Sequence, residues 1–403
     1  MYMSRFGVKN YKCLAEVDIP LTPIHVLIGP NDAGKTSLLE AMVALYQSAD
    51  CNLPDVFPKP WNGRELVFGA SHGRRVEVCG NWRADPAREP EQGAGEMDYG
   101  ITVEFQANGN TCQCRSEVVS AARAGRFETK CDIPHTPLCN FRRERTRPVE
   151  GNCHSFATSA VSKVLKSTKI YAFNPKLMAV PAAIDIERTF RLDRDGFGLP
   201  ALLTDILGYD AALFVGLRTE FCRLFPQFTS VRVKSENAVR RGAREGIPTV
   251  EGEGIGAAIY LELKSGATIR AQQVSDGAIL MLGFLALAHL PDPPTLLLIE
   301  EPENGIYPKR LGEVIQMLKQ MVGRTEGVRF PQIIMTTHSP YVLSFFEPEE
   351  VTFLSRDPKK PEAGVRARPL RNAPNIRERL GGGAFYLGEL WYNLSEEELF
   401  GEP

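Results

Sequence analysis

The sequence predicts an α/β protein: a mixed central sheet flanked by helices, joined to an antiparallel β subdomain and an inserted, mainly helical lobe. Three observations carry this. Ile24-His25-Val26-Leu27-Ile28 is a nearly all-apolar run of strand length, as a buried central strand requires, and it feeds a glycine-rich loop and then a helical pattern. Pro294-Thr295-Leu296-Leu297-Leu298-Ile299 is a second such run, ending in consecutive glutamates. Between the two, Arg75 to Cys79 and Gly100 to Phe105 alternate apolar and polar residues with the period of a half-buried strand.

Taken in order, residues 1–50 open the core domain. Ser4 to Val8, Ala15 to Ile19 and Ile24 to Ile28 read as short strands separated by turn-prone Lys9, Asn10 and Pro23. After the third strand come Gly29-Pro30-Asn31-Asp32-Ala33-Gly34-Lys35-Thr36-Ser37, and then Leu38, Leu39, Met42, Val43 and Tyr46 at helical spacing. Residues 51–145 are expected to form the antiparallel subdomain, with Asn108-Gly109 as a hairpin signal. Asp85 to Met97, rich in Pro, Glu, Gly and Ala, reads as a loop. Residues 146–230 read as the helical lobe, with Leu202, Ile206 and Leu207 and then Leu213, Leu217 and Phe221 at helical spacing. Residues 231–355 return to the core domain, and 356–403 form a C-terminal extension. In that extension Leu387, Leu390, Trp391 and Leu394 make one apolar stripe on a short helix, suited to packing on the core domain or to docking a partner.

Composition sets limits. The 403 residues are 43% apolar and 24% charged with a net charge of -2, an ordinary globular balance that gives no bulk attraction to polyanions. No stretch approaches the ~20 apolar residues of a membrane span, and MYMSRFGVKNYK lacks a signal-peptide core, so a cytoplasmic location is expected. Nine cysteines, an odd number, suit reduced thiols. Cys112, Cys114, Cys131, His135, Cys139 and Cys153 form the only grouping to weigh for metal. They lack the paired short spacings of zinc sites, so the cysteines are expected to be thiols.

The loop fits G-x-x-x-x-G-K-[ST] at Gly29, Gly34, Lys35 and Thr36, between a strand and a helix. Its residue types explain its chemistry. Glycines let backbone amides turn toward phosphates, and the helix start adds its positive dipole end. Lys35 supplies a charge for the β- and γ-phosphates, and Thr36 a hydroxyl for Mg2+. The later apolar strand delivers Glu300 and Glu301 to its C-terminal end, the Walker B arrangement; Glu300 is expected to hold Mg2+ through water and Glu301 to orient or deprotonate the attacking water. Upstream, Ser275-Asp276-Gly277 opens an apolar segment, a helix start that is also an anion site. Thr337-His338-Ser339-Pro340 follows a fourth strand, with His338 where a γ-phosphate sensor is expected.

In this order and spacing the motifs resemble the ABC-type ATPases of the RecF, SMC and overcoming-lysogenisation-defect (OLD) group, most of all its compact bacterial AAA family proteins. The resemblance covers residues 1–45 and 270–355, with weaker likeness at Leu192-Asp193-Arg194-Asp195-Gly196 and Leu224-Phe225-Pro226. Asn31, the Glu300-Glu301 pair and the Glu303-Asn304-Gly305 turn are typical of that group, whereas Tyr307 stands where many relatives have His. The resemblance implies an ABC-type P-loop ATPase head that binds ATP and Mg2+ and works as a head-to-head homodimer. One subunit's phosphate loop and Walker B carboxylates would bind the nucleotide while the partner's Ser275, Asp276 and Gly277 close over the γ-phosphate. It also puts Asn304 to Ile306 along the dimer interface and Lys12 near the nucleotide.

Output is less legible. Arg115 to Lys169 holds eleven Lys or Arg against five acids, densest at Arg142, Arg143, Arg145 and Arg147. That tract is either a track for DNA phosphates or a solvated face. Residues 339–403 show no D-x-D of the TOPRIM nuclease that follows the head in OLD proteins. The expectation is therefore an ATPase switch that regulates or loads a separately encoded, nuclease-type effector in antiphage defence. Its rivals are a RecF-like DNA repair ATPase and an ABC transporter subunit; residues 38–274 separate the phosphate loop from Ser275, far more than a transporter head has.

Overall fold

The structure is a computed structural model that describes residues 1–48, 53–57, 63–70, 75–83, 96–105, 112–121, 125–130, 164–165, 167–184, 189–244, 247–323, 331–357, 359–381 and 386–400. The chain divides into two compact units. One comprises Met1–Lys169, Pro294–Leu298 and Pro331–Pro403; the other comprises Ile170–Pro293 and Ile299–Phe330.

The first unit holds one sheet whole and most of a second. Strands β1 (Tyr2–Tyr11), β2 (Leu14–Pro20), β4 (Arg75–Arg83), β5 (Glu96–Phe105), β6 (Cys112–Ala121) and β7 (Gly125–Lys130) form an antiparallel sheet in the order β2-β1-β4-β5-β6-β7. Burial along β4 alternates strictly over its first six residues, so its apolar face packs inward and its polar face meets solvent. The first strand does not break at Lys9 and Asn10. It continues to Tyr11, and the reversal falls at Lys12 and Cys13, where Lys12 adopts φ 48 and its amide bonds the Leu66 carbonyl at 2.8 Å.

The second sheet has the order β16-β15-β3-β14-β13-β8, with β3 (Ile24–Ile28), β8 (Thr168–Tyr171), β13 (Leu296–Glu300), β14 (Gln332–Thr337), β15 (Val351–Arg356) and β16 (Val365–Pro369). Strand β3 is buried at every position and pairs in parallel with β14 and β15, which explains its unbroken apolar run. Gln332 ties the two sheets: its side chain accepts from the Met3 amide (2.9 Å) and donates to the Met3 and Thr22 carbonyls (2.7 and 3.0 Å). Two segment boundaries shift. Thr168–Tyr171, expected in the helical lobe, is an edge strand of this sheet, and β16, expected in the C-terminal extension, pairs antiparallel with β15. Both are short strands whose place depends on a distant neighbour rather than on their own pattern.

The C-terminal stripe packs within the first unit. In the helix Leu387–Asn393, Leu387 and Leu390 are buried and the Trp391 ring lies 4.6 Å from that of Phe353. Ile28, Leu343, Leu370 and Leu399 line the same apolar pocket. A Cβ on Gly388 would fall 2.0 Å from the Pro340 carbonyl oxygen, so this helix approaches its neighbour at backbone distance. Leu394 caps the helix in extended conformation rather than continuing the stripe.

The second unit is built on a long hairpin, β10 (Phe228–Arg244) with β11 (Ile247–Leu263), whose strands pair from Phe228↔Leu263 to Arg244↔Ile247. Short strands β9 (Ala182–Ala183) and β12 (Thr268–Arg270) join it. Helices Leu199–Tyr209 and Ala211–Leu224 lie in the predicted lobe; Asp210 caps the second by accepting from the Ala212 amide at 2.8 Å. The buried face of that second helix is Phe214, Leu217, Phe221 and Leu224: Leu217 and Phe221 face the core as expected, while Phe214 is buried where Leu213 was expected. The helix Asp276–Ala288 is buried continuously from Ala278 to Ala288, which its unbroken apolar sequence requires. Among the described residues no helix is long and apolar enough to cross a membrane.

Candidate functional site

Strand β3 ends at Ile28, and the loop Gly29 to Ser37 leads into the helix Lys35–Gln47. The loop is fixed at both glycines. A Cβ on Gly29 would lie 2.1 Å from the Leu354 carbonyl oxygen, and Gly34 has φ 84, which L side chains rarely adopt. Asp32 is also left-handed at φ 64, a conformation Asp tolerates better than most residues. Pro30, Asn31, Asp32 and Thr36 are exposed, Ala33 is buried, and Ser37 is half-buried with its Oγ 3.6 Å from the Cys13 Sγ.

Lys35 is 7% exposed, and its Nζ donates to the Gly29 and Pro30 carbonyls at 2.7 and 2.9 Å. The cation therefore sits inside the loop against carbonyls of the loop itself, where a phosphate oxygen would be a stronger, charged acceptor. The helix that begins at Lys35 has no side-chain cap and no acidic residue in its first turn, so the positive end of its dipole suits an anion.

His338 lies one residue beyond β14 and is exposed. The last register pair of the two strands is Thr337↔Ile28, so β14 and β3 end together, one residue before His338 and before Gly29. Lys12 forms an ion pair with Glu40 on the phosphate-loop helix. Under the loop, fully buried His25 contacts the Thr22 and Thr352 hydroxyls at 3.0 and 2.9 Å. Burial, aided by the charge of Arg371, lowers its pKa to about 3, so the ring is neutral.

The second unit carries the two carboxylates. Glu300 is the last residue of β13, and its side chain is 15% exposed and paired with the Arg194 guanidinium. Glu301 has φ 47, and its carboxylate accepts from the Asn304 side-chain amide at 2.6 Å. The turn closes through the Asn304 amide on the Glu301 carbonyl and the Ile306 amide on the Glu303 carbonyl, both at 3.0 Å, with Gly305 at φ 82. Against this turn rests the start of the helix Asp276–Ala288: a Cβ on Gly277 would lie 3.3 Å from the Gly305 carbonyl oxygen. Ser275 and Asp276 are exposed and Gly277 is half-buried, and the Ser275 side chain makes no capping bond to its own helix. The second unit thus brings the Ser275 motif and the Glu301 turn into contact.

Two partners escaped sequence reasoning. Arg194 lies in a segment noticed only for its weak family likeness, and nothing local links it to Glu300. Asn304 was placed as interface loop, although its spacing of three from Glu301 is that of an ordinary turn contact. The basic residues Arg142, Arg143, Arg145 and Arg147 lie outside the described residues, as do Cys131, His135, Cys139 and Cys153. Cys112 and Cys114 are buried free thiols, and among the described residues no three metal-binding side chains gather.

A phosphate loop between a buried parallel strand and a helix, and a carboxylate pair at the end of a second buried strand, mark an ABC-type P-loop ATPase of the RecF, SMC and OLD group. The fold agrees: an SMC head crystallised with the C-terminal winged-helix domain of ScpA matches with a TM-score of 0.54 over 91% of this chain and 97% of that one, at 14% identity. The OLD nuclease of Thermus scotoductus is 23% identical over 99% of this chain and 70% of its own length. The chain belongs to the family described as "AAA domain, putative AbiEii toxin, Type IV TA system", whose model matches residues 126–344; that of the AAA ATPase domain matches residues 1–169. It is an ATPase.

Proposed function

We propose that the chain is a dimeric molecular switch that binds and hydrolyses ATP and thereby regulates or loads a separately encoded effector in antiphage defence. The observation that carries the nucleotide reading is Lys35, buried in the loop with its ammonium on the Gly29 and Pro30 carbonyls. In this reading the loop amides and Lys35 take the phosphates. Glu301 orients or deprotonates the attacking water, and His338 contacts the γ-phosphate.

Thr36 and Glu300 are the residues that would hold Mg2+. They fit it: both are hard oxygen donors, and Mg2+ keeps several waters and needs only one or two protein oxygens beside the phosphates. Glu300 already sits against a cation, Arg194. Bound Mg2+ neutralises phosphate charge during transfer.

Support for the switch comes from the exposed Ser275 helix start, whose hydroxyl its own helix does not use, a donor suited to a second subunit's γ-phosphate. The family description refers to a toxin system, and the related SMC head holds a separate protein domain, a precedent for an effector partner. The test is mass measurement in solution with ATP. Glu301→Gln should retain ATP and accumulate as dimer, Lys35→Ala should bind no ATP and stay monomeric, and co-expressed products of flanking genes should elute with the ATP-bound form. A Glu301→Gln protein that stays monomeric with ATP bound would overturn the dimer, and one that turns over normally would remove the role of Glu301.

A further inference from the structure

Arg194 is held in place before it reaches Glu300. Its carbonyl accepts from the Ala172 amide at 2.8 Å, and the Asn174 amide bonds the Asp195 carbonyl at 2.9 Å. The turn closes on itself through Asp193 N to Phe197 O (3.0 Å) and Gly196 N to Asp193 O (2.9 Å). The Asp195 carboxylate is used twice, by the Phe197 amide at 3.0 Å and by Arg241 Nη1 at 2.6 Å, and Arg241 lies 5.2 Å from the Phe197 ring centre. Gly196 has φ 83, and a Cβ there would meet Met178 Cγ at 2.4 Å. Arg194 therefore projects from a turn clamped on several sides, and its guanidinium ends on the Glu300 carboxylate.

We infer that Arg194 is a positioning residue that occupies Glu300 as a resident cation, so that a divalent metal must displace it to reach the carboxylate. This rests on the reading of Glu300 as the metal carboxylate. The physical reason is charge. The guanidinium and a divalent metal are both cations, so they repel each other at one carboxylate. Metal alone then has little to gain, because it must break the pair. Metal carried by a nucleotide brings phosphates that compensate. The turn stays anchored through Asp195 and Arg241 when Arg194 lets go, so the guanidinium swings out without unfolding its support. Arg194 thereby keeps the site from filling with metal before nucleotide arrives.

The test uses Mn2+ as a paramagnetic probe, titrated into the full chain without nucleotide and again with a non-hydrolysable ATP analogue, free Mn2+ being read by electron paramagnetic resonance. Arg194→Gln should bind Mn2+ without nucleotide about two- to fivefold tighter than wild type, the scale of a half-exposed ion pair. The gain should vanish in Arg194→Gln combined with Glu300→Gln. Wild-type Mn2+ affinity in Arg194→Gln, with nucleotide-borne Mn2+ lost in Glu300→Gln, would overturn the role of Arg194 and leave Glu300 standing. Undiminished Mn2+ binding with nucleotide in Glu300→Gln would instead overturn the reading of Glu300. Should Arg194→Gln fail to fold, Arg194→Lys, which keeps the charge but loses the planar fork, should show a smaller gain in the same direction. No gain there would overturn the proposal.

Discussion

Asn304 holds Glu301 twice: its side-chain amide donates to the Glu301 carboxylate at 2.6 Å, and its backbone amide to the Glu301 carbonyl at 3.0 Å. With Glu301 at φ 47, an uncommon conformation for a non-glycine residue, the carboxylate is aimed by a turn that its neighbour keeps in place. Asn304→Ala should therefore lower kcat by about tenfold to a hundredfold, the scale expected when an orienting partner is lost, with little change in KM for ATP. Steady-state hydrolysis checks this. An unchanged kcat would reduce the bond to a feature of the turn.

The Ser275 helix start makes a sharper demand. Ser275→Arg puts a bulky cation on an exposed position, so nucleotide binding should survive while ATP-dependent dimerisation is lost. Mixed with Lys35→Ala, it should give at most one working site per dimer. Full activity of the mixture would show that Ser275 does not act across subunits.

His25 links the fold to pH. Its ordinary pKa of 6.5 falls to about 3 because burial disfavours the charged ring. The depressed value means that the neutral ring's contribution is whole above pH 6.5 and is lost as pH falls from there toward 3, by about 1.4 kcal/mol per unit at most. Thermal melts between pH 7 and 4 should show a steeper loss for wild type than for His25→Gln. Parallel slopes would exclude His25 as the source.

The C-terminal helix should be structural. Leu390 is 5% exposed and Tyr392 is 78% exposed on the same short helix. Leu390→Ala should cost about 2–4 kcal/mol in urea denaturation and Tyr392→Ala close to nothing. Equal effects would contradict the packing described.

The basic tract decides the rival RecF-like reading. If Arg142, Arg143, Arg145 and Arg147 contact phosphates, their replacement by Glu should weaken duplex binding without sequence preference, and wild-type affinity should fall steeply with salt. Binding unchanged by the four substitutions would leave the tract as a solvated face.

What the sequence made legible was local. Ile24 to Ile28, the loop at Gly29 to Thr36 and the following helix lie within one continuous stretch, and each residue type serves its own position. Glu300 and Glu301 were legible for the same reason. Arg194 was not, since its partner is 106 residues away and an arginine in a loop has no period to betray it. The 17-residue strand β11 is hidden in the sequence because glycines at 252, 254 and 256 interrupt its alternation. Leu213 and Phe214 both satisfy helical spacing with Leu217, and only packing separates them.

Strand β3, which carries the phosphate loop, lies between β14 and β15, and Ile24 pairs with Ile333. During synthesis the nucleotide strand must therefore wait for residues more than 300 positions downstream, about 15–60 s at ordinary ribosomal rates. Throughout that interval Ile24 to Ile28 has neither sheet neighbour, an apolar segment of the kind that invites chaperone capture. The sheet around the strand that leads into the phosphate loop closes only after β14 and β15 have emerged, so that strand gains its neighbours late in synthesis.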